Sequence, residues 1–135
     1  PHYNNDRQPI YDAICCGCWM QTVMGRAFRF VLAQKRLPSV SCGIGIDYGE
    51  VIATRVGIRN RNKLVLLGNA ANNAAKLEDR AAERQVVVSP IVYENRPALI
   101  GAELFQPYPS WDAPTYYLSD AVFNDDTTRR QYVRR

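Results

Sequence analysis

Apolar residues recur with a helical period over the first quarter of the chain. Between Pro9 and Arg36 they fall at Ile10, Ala13, Ile14, Gly17, Met20, Met24, Ala27, Phe28 and Val31, the spacing that lines one side of a helix. Pro9 suits a first turn, Lys35 and Arg36 suit the negative end of the helix dipole, and Pro38 lies just beyond. One long helix is predicted there. The period then shortens: Val40–Ile46 predicts a buried strand, Asp47–Glu50 a turn, and Val51–Ile58 and Lys63–Leu67 two strands joined by Arg59-Asn60-Arg61-Asn62. A helix is predicted over Asn69–Arg84, with Asn69 as N-cap after Gly68. Gln85–Val88 is a short β-branched strand, Ser89-Pro90 opens a short helix ending before Pro97, and Thr115–Leu118 predicts a last strand. Residues 1–8 are polar and expected to be loose. Helices and strands alternating irregularly, with hairpins among them, predict an α+β fold: a mostly antiparallel sheet with helices packed on one face.

Composition narrows the class without naming a function. A chain of 135 residues, 47% hydrophobic and 22% charged, is enough for one domain with one core. No apolar run approaches the ~20 residues that span a bilayer, and no signal pattern opens the chain, so no membrane is expected and a cytoplasmic location is the default. The net charge of +4 is concentrated at Arg55, Arg59, Arg61 and Lys63, and again at Arg129, Arg130, Arg134 and Arg135. The second group reads as a solvated tail. The first sits on a hairpin, where it is either a solvated tip or a phosphate contact. Neither carries the interleaved aromatics of a single-strand nucleic-acid platform, so no nucleic acid is expected. Cys15, Cys16 and Cys18 resemble metal spacing, but neighbours on one helix point apart and the sole histidine is His2; with Cys42 they read as reduced, small apolar residues.

The stretch LLGNAANNAAKLED, residues 66–79, carries the candidate chemistry. Asn72 and Lys76 are four apart, so they stand on one helical face. Alanines around them let a ligand approach closely. An amide and a cation over a floor of methyl groups suit a bound ribose-phosphate; a helix packed on a sheet with both residues at its solvated edge fits the spacing as well.

Two glycine-bearing segments resemble a family in order, spacing and residue type. Cys42-Gly43-Ile44-Gly45-Ile46-Asp47-Tyr48-Gly49-Glu50-Val51-Ile52-Ala53 and Gly68-Asn69-Ala70-Ala71-Asn72-Asn73-Ala74-Ala75-Lys76-Leu77-Glu78 are similar to the class III nucleotidyl cyclase catalytic domain. The resemblance implies a ferredoxin-like sandwich working as a homodimer with composite sites at the interface. It also implies attack of the 3′-hydroxyl of a nucleoside triphosphate on its own α-phosphorus, assisted by two divalent cations (Mn or Mg), with release of pyrophosphate. It places Asn72 at the transition-state asparagine and Lys76 at the corresponding arginine; lysine keeps the charge and loses the planar fork.

Departures from the family pattern are specific. The base-selecting position falls on Val65, which has no hydrogen-bonding group. Asn69 stands for an aspartate, Asp47 for a histidine, and a late triphosphate-gripping lysine has no clear counterpart, leaving Arg55, Arg59 or Lys63 to substitute. The metal-binding aspartates of the family precede the long helix, and nothing before Pro9 supplies them. The chain is therefore expected to be the C-terminal portion of a single cyclase domain, with no metal ligands of its own. Loss of a purine-reading side chain points to the pyrimidine cyclases of bacterial anti-phage defence, with UTP as first substrate and cyclic UMP or cyclic CMP as product. Rival readings are an adenylate cyclase, a non-catalytic cyclase-homology module for dimerisation or nucleotide binding, and a small basic RNA-binding sandwich.

Overall fold

The computed structural model of the protein describes residues 7–108, 115–123 and 132–133. The polar start before Arg7, His2 and the four arginines of the C-terminal tail lie outside them. The predicted long helix forms as α1 (Arg7–Val23), a π-helical turn (Met24–Phe28) and α2 (Arg29–Gln34). The widened turn contains Gly25, the residue whose backbone yields most readily there. The helical run closes through Arg36, which adopts a left-handed φ of 54°.

Four strands form the main sheet in the order β1-β4-β6-β5: β1 (Ile44–Ile46), β4 (Val86–Val88), β6 (Tyr116–Ser119) and β5 (Gln106–Tyr108). β1 runs parallel to β4, with Gly45 opposite Val87, and the other two pairings are antiparallel. The α+β class with mostly antiparallel pairing is thus borne out. Val40 to Gly43 are not strand, so the predicted first strand is cut to its last three residues. β5 was not legible in the sequence because Pro107 sits at its centre, a residue the sheet tolerates only at an edge. A separate pair, β7 (Val122–Phe123) and β8 (Tyr132–Val133), is also additional.

Alternation along β4 divides the core. Val86 and Val88 join Ile10, Ile14 and Cys18 of α1, with Ile46, Val92, Ile100, Leu104 and Phe105, in the larger cluster. Val87 points the other way, to Leu77 of α3 (Asn69–Arg80) and Tyr116. The main helical layer therefore covers one face, and α3 lies over the opposite one. A buried glutamine locks α1 to the sheet: Gln21 is fully buried, and its Nε2 donates to the carbonyls of Cys42 (2.9 Å) and Gln85 (3.2 Å).

β2 (Ile52–Ile58) and β3 (Arg61–Leu67) form a ribbon that stands apart from the main sheet. Its turn is Arg59-Asn60 alone, with Asn60 left-handed at φ 67°; Arg61 and Asn62 pair with Ile58 and Gly57 instead of lying in the turn. Large apolar side chains are bare on both of its faces: Ile52, Val56, Ile58 and Leu67 on one, Leu64 and Leu66 on the other, with Ile58 72% and Leu64 66% exposed. An isolated two-stranded ribbon is at best marginally stable in water.

Candidate functional site

The glycine pattern that marks the sequence turns out to be a packing device. A Cβ on Gly45 would lie 2.1 Å from the carbonyl oxygen of Ala74 and 2.4 Å from the amide nitrogen of Glu78; one on Gly43 would lie 2.6 Å from the Ala81 Cβ. The backbone of α3 therefore rests directly on β1. Small residues are needed on the helix side too, and Ala70, with Leu77, is buried there. Asn72 and Lys76 fall on the reverse of that face and are exposed. Among the described residues no hydrogen bond or ion pair engages either head group. Four residues apart on a helix, their Cβ atoms are ~6 Å from each other, close enough for an amide and an ammonium to meet one ligand.

Gly68 caps α3, not Asn69. Gly68 has φ 153° and ψ 162°, a conformation only glycine accepts freely, and a side chain there would strike the carbonyl oxygen of Glu50 at 2.5 Å. Asn69 is the first helical residue and makes no side-chain cap. The helix ends at Arg80 instead of Arg84, because Ala81 turns extended and starts the connection to β4.

Asn69 instead lines an open groove of about 640 Å³ between the β1–β2 turn and the starts of α3 and α4 (Pro90–Glu94). Asp47, Glu50, Asn73 and Ser89 share that groove. The Ser89 hydroxyl donates to Asp47 Oδ1 at 2.5 Å, while Ser89 Oγ accepts from the amide of Val92 at the start of α4. One hydroxyl thus ties the end of β1 to α4. Asn73 and Ser89 were missed as candidates; Ser89 was legible only as the residue before Pro90.

The ribbon disperses the remaining candidates. Val65 is half-buried near the base of β3, directly across from the half-buried Thr54, whose hydroxyl is the nearest polar group that cross-strand pairing gives it. Lys63 lies opposite Val56, further out, and Arg59 is at the tip. Six strand steps separate Arg61 from Leu67, ~20 Å at the usual rise, so Arg59 and α3 do not meet one small ligand within a single subunit. Arg55 is engaged across the ribbon, its guanidinium donating to Asn62 Oδ1 at 3.1 Å.

No disulfide engages Cys15, Cys16, Cys18 or Cys42: Cys18 is buried, Cys15 and Cys42 are half-buried and Cys16 is exposed. Burial chiefly, with Cys15 nearby as a lesser cause, pushes the Cys18 thiol up to about 12. No group of three or more His, Cys, Asp or Glu among the described residues could hold a metal ion. These residues therefore offer no cradle for a divalent cation. No helix among the described residues is long and apolar enough to cross a membrane.

Comparison with known proteins gives a consistent picture. Residues 4–98 match the model of the adenylate and guanylate cyclase catalytic domain. Among solved structures the chain is similar to the guanylyl cyclase Cya2, with a TM-score of 0.70 and 19% identity over 90% of this chain. It spans 62% of the Cya2 chain. No curated protein sequence matches.

Proposed function

Because the chain belongs to the adenylate and guanylate cyclase catalytic-domain family, we propose that it forms part of a nucleotidyl cyclase whose outward face of α3 acts on a triphosphate held by a second copy. The observation that carries this reading is the exposure of Asn72 and Lys76 beside an apolar ribbon that nothing covers among the described residues. A second copy laid on the ribbon would bury its apolar faces and bring α3 opposite the neighbour's nucleotide. There the Asn72 carboxamide would orient the ribose, and the Lys76 ammonium would balance the charge growing on the phosphoryl oxygens. Bound divalent cations would supply the rest of that charge stabilisation. We propose that their ligands lie outside the described residues. Support comes from the outer edge of β1, which is unpaired among the described residues and open to a further strand.

For the base we propose UTP, with the cyclic product as a second messenger in anti-phage defence. Support for the base comes from Val65, which cannot hydrogen-bond, and from its partner Thr54, which offers one small hydroxyl in place of a purine-reading carboxylate. GTP is the first competitor, since Cya2 is a guanylyl cyclase. The test is turnover of each of the four triphosphates by the full-length protein with Mn²⁺, in parent and Asn72→Ala forms. Conversion of UTP, falling by about 10²-fold or more in the variant, is expected of a transition-state donor. Conversion confined to a purine triphosphate overturns the base assignment, and unchanged turnover in the variant overturns the site.

A non-catalytic partner module is the second reading, favoured by Lys76 in place of arginine. It requires dimerisation and nucleotide affinity with no pyrophosphate release from any triphosphate.

A further inference from the structure

A second cavity, of about 250 Å³, opens at the far end of α3, where the π-helical turn faces the loop after α2 and the connection into β4. Arg29, Ser39, Ser41, Glu83 and Arg84 bring its polar groups. Three departures from ordinary structure meet there. The helix widens into the π turn, a feature often kept where a helix serves a site. Arg84 holds a left-handed φ of 66°, which a non-glycine residue adopts only at a cost. Its Nε is buried without a hydrogen-bond partner, although buried donors are nearly always satisfied.

The strain at Arg84 is imposed, not accidental. Its amide donates to the Cys42 carbonyl at 3.1 Å, the same oxygen that Gln21 grips from α1. This fixes the backbone and holds the guanidinium at the cavity wall. Among the described residues no ion pair joins Glu83 to Arg29 or Arg84. Two cations against one carboxylate leave the lining a net positive charge, and two serine hydroxyls add donors.

We propose that this cavity binds a small oxyanion of the phosphate class, at a site distinct from the outer face of α3. Guanidinium groups match the tetrahedral oxygens through paired donors. The volume, about 250 Å³, lies below the ~300 Å³ at which sites for drug-sized ligands begin, so it suits inorganic phosphate better than a nucleoside triphosphate. Glu83 sharpens the choice. A carboxylate accepts a hydrogen bond from the proton that hydrogen phosphate carries at neutral pH, whereas sulfate has no proton to donate. Phosphate is therefore selected over sulfate. Eight residues of α3 separate Asn72 from Arg80, ~12 Å of helix, so the two sites do not share a ligand.

The experiment titrates inorganic phosphate, then sulfate, into the protein at neutral pH and constant chloride ionic strength, with heat or the ³¹P line width as readout. Saturable one-site binding of phosphate is expected, at least tenfold tighter than sulfate. Arg84→Gly removes the guanidinium while relieving the left-handed backbone, so the variant stays folded and phosphate affinity falls at least tenfold. Glu83→Gln should close the gap between the two anions. Lys76→Ala should leave phosphate binding within about twofold of the parent, which separates this site from the nucleotide reading. Absence of saturable phosphate binding, equal affinity for sulfate, or loss in Lys76→Ala but not in Arg84→Gly overturns the proposal.

Discussion

Replacing Gly45 by alanine tests the central contact of the fold. The new methyl carbon would sit 2.1 Å from the Ala74 carbonyl oxygen, whereas a tolerable carbon–oxygen contact is about 3.4 Å. The backbone of α3 must therefore retreat from β1 by about 1.3 Å, because backbone atoms, unlike a side-chain end, cannot swing aside. Overpacking of this kind costs roughly 1–3 kcal/mol, and a backbone-on-backbone clash belongs at the upper end. In a domain of this size ~3 kcal/mol lowers the thermal midpoint by about 10 °C. The same retreat carries Asn72 and Lys76 with the helix, and a displacement of ~1 Å can cost ~10²-fold in turnover. Gly17→Ala is the control. Its Cβ would lie 3.4 Å from Ile46 Cδ1 and Val86 Cγ1, both side-chain atoms, and it gains up to ~1 kcal/mol of helix propensity. Thermal unfolding followed by circular dichroism should place Gly17→Ala near or above the parent and Gly45→Ala far below it. A Gly45→Ala midpoint equal to the parent's, or a Gly17→Ala variant less stable than Gly45→Ala, refutes the reasoning.

Gln21→Leu should cost less than about 1 kcal/mol in urea unfolding, since it removes the unpartnered buried Oε1 and leaves both carbonyls satisfied by the amides of Arg84 and Ile44. Gln21→Ala, which opens a cavity, should cost ~2–4 kcal/mol; equal costs would refute the account. Cys18 ionises in the unfolded chain from about pH 9 but in the folded protein only near 12, so its contribution is intact below pH 9 and lost as pH rises through that window. Between pH 9 and 11 the parent should lose stability faster than Cys18→Ala by about 1.4 kcal/mol per pH unit, and parallel curves would count against burial as the cause. Ile58→Lys with Leu64→Lys alters exposed positions, so monomer stability should stay within ~0.5 kcal/mol, while sedimentation shows the dimer lost. A dimer that survives both changes does not use the ribbon.

Much of this architecture was legible from periodicity, because long amphipathic stretches and β-branched runs report burial directly. Ile10 and Ile14 of the helical stripe and the run Val86–Val88 became core for that reason, whereas Met20, Phe28 and Val31, further along the same stripe, are exposed. Local chemistry read less well. Asn69 follows a glycine and looks like a cap, yet Gly68 takes that place because only it can adopt the required backbone beside Glu50. Arg84 reads as the end of a helix, but a tertiary bond from its amide to Cys42 holds it left-handed, and no neighbour in the sequence signals that. The candidate pair on α3 was visible through its four-residue spacing. Ser89 and Thr54 were not, since each gains its place only from a strand partner or a turn distant in the sequence.

The two borders of the main sheet are treated differently. β5 carries Pro107 at its midpoint, which blocks a ladder of incoming strands. β1, at the opposite border, is Ile-Gly-Ile with neither proline nor charge to deter one. Among the described residues β1 is the border more open to growth, and a strand recruited there arrives next to Asp47 and the groove where α3 begins.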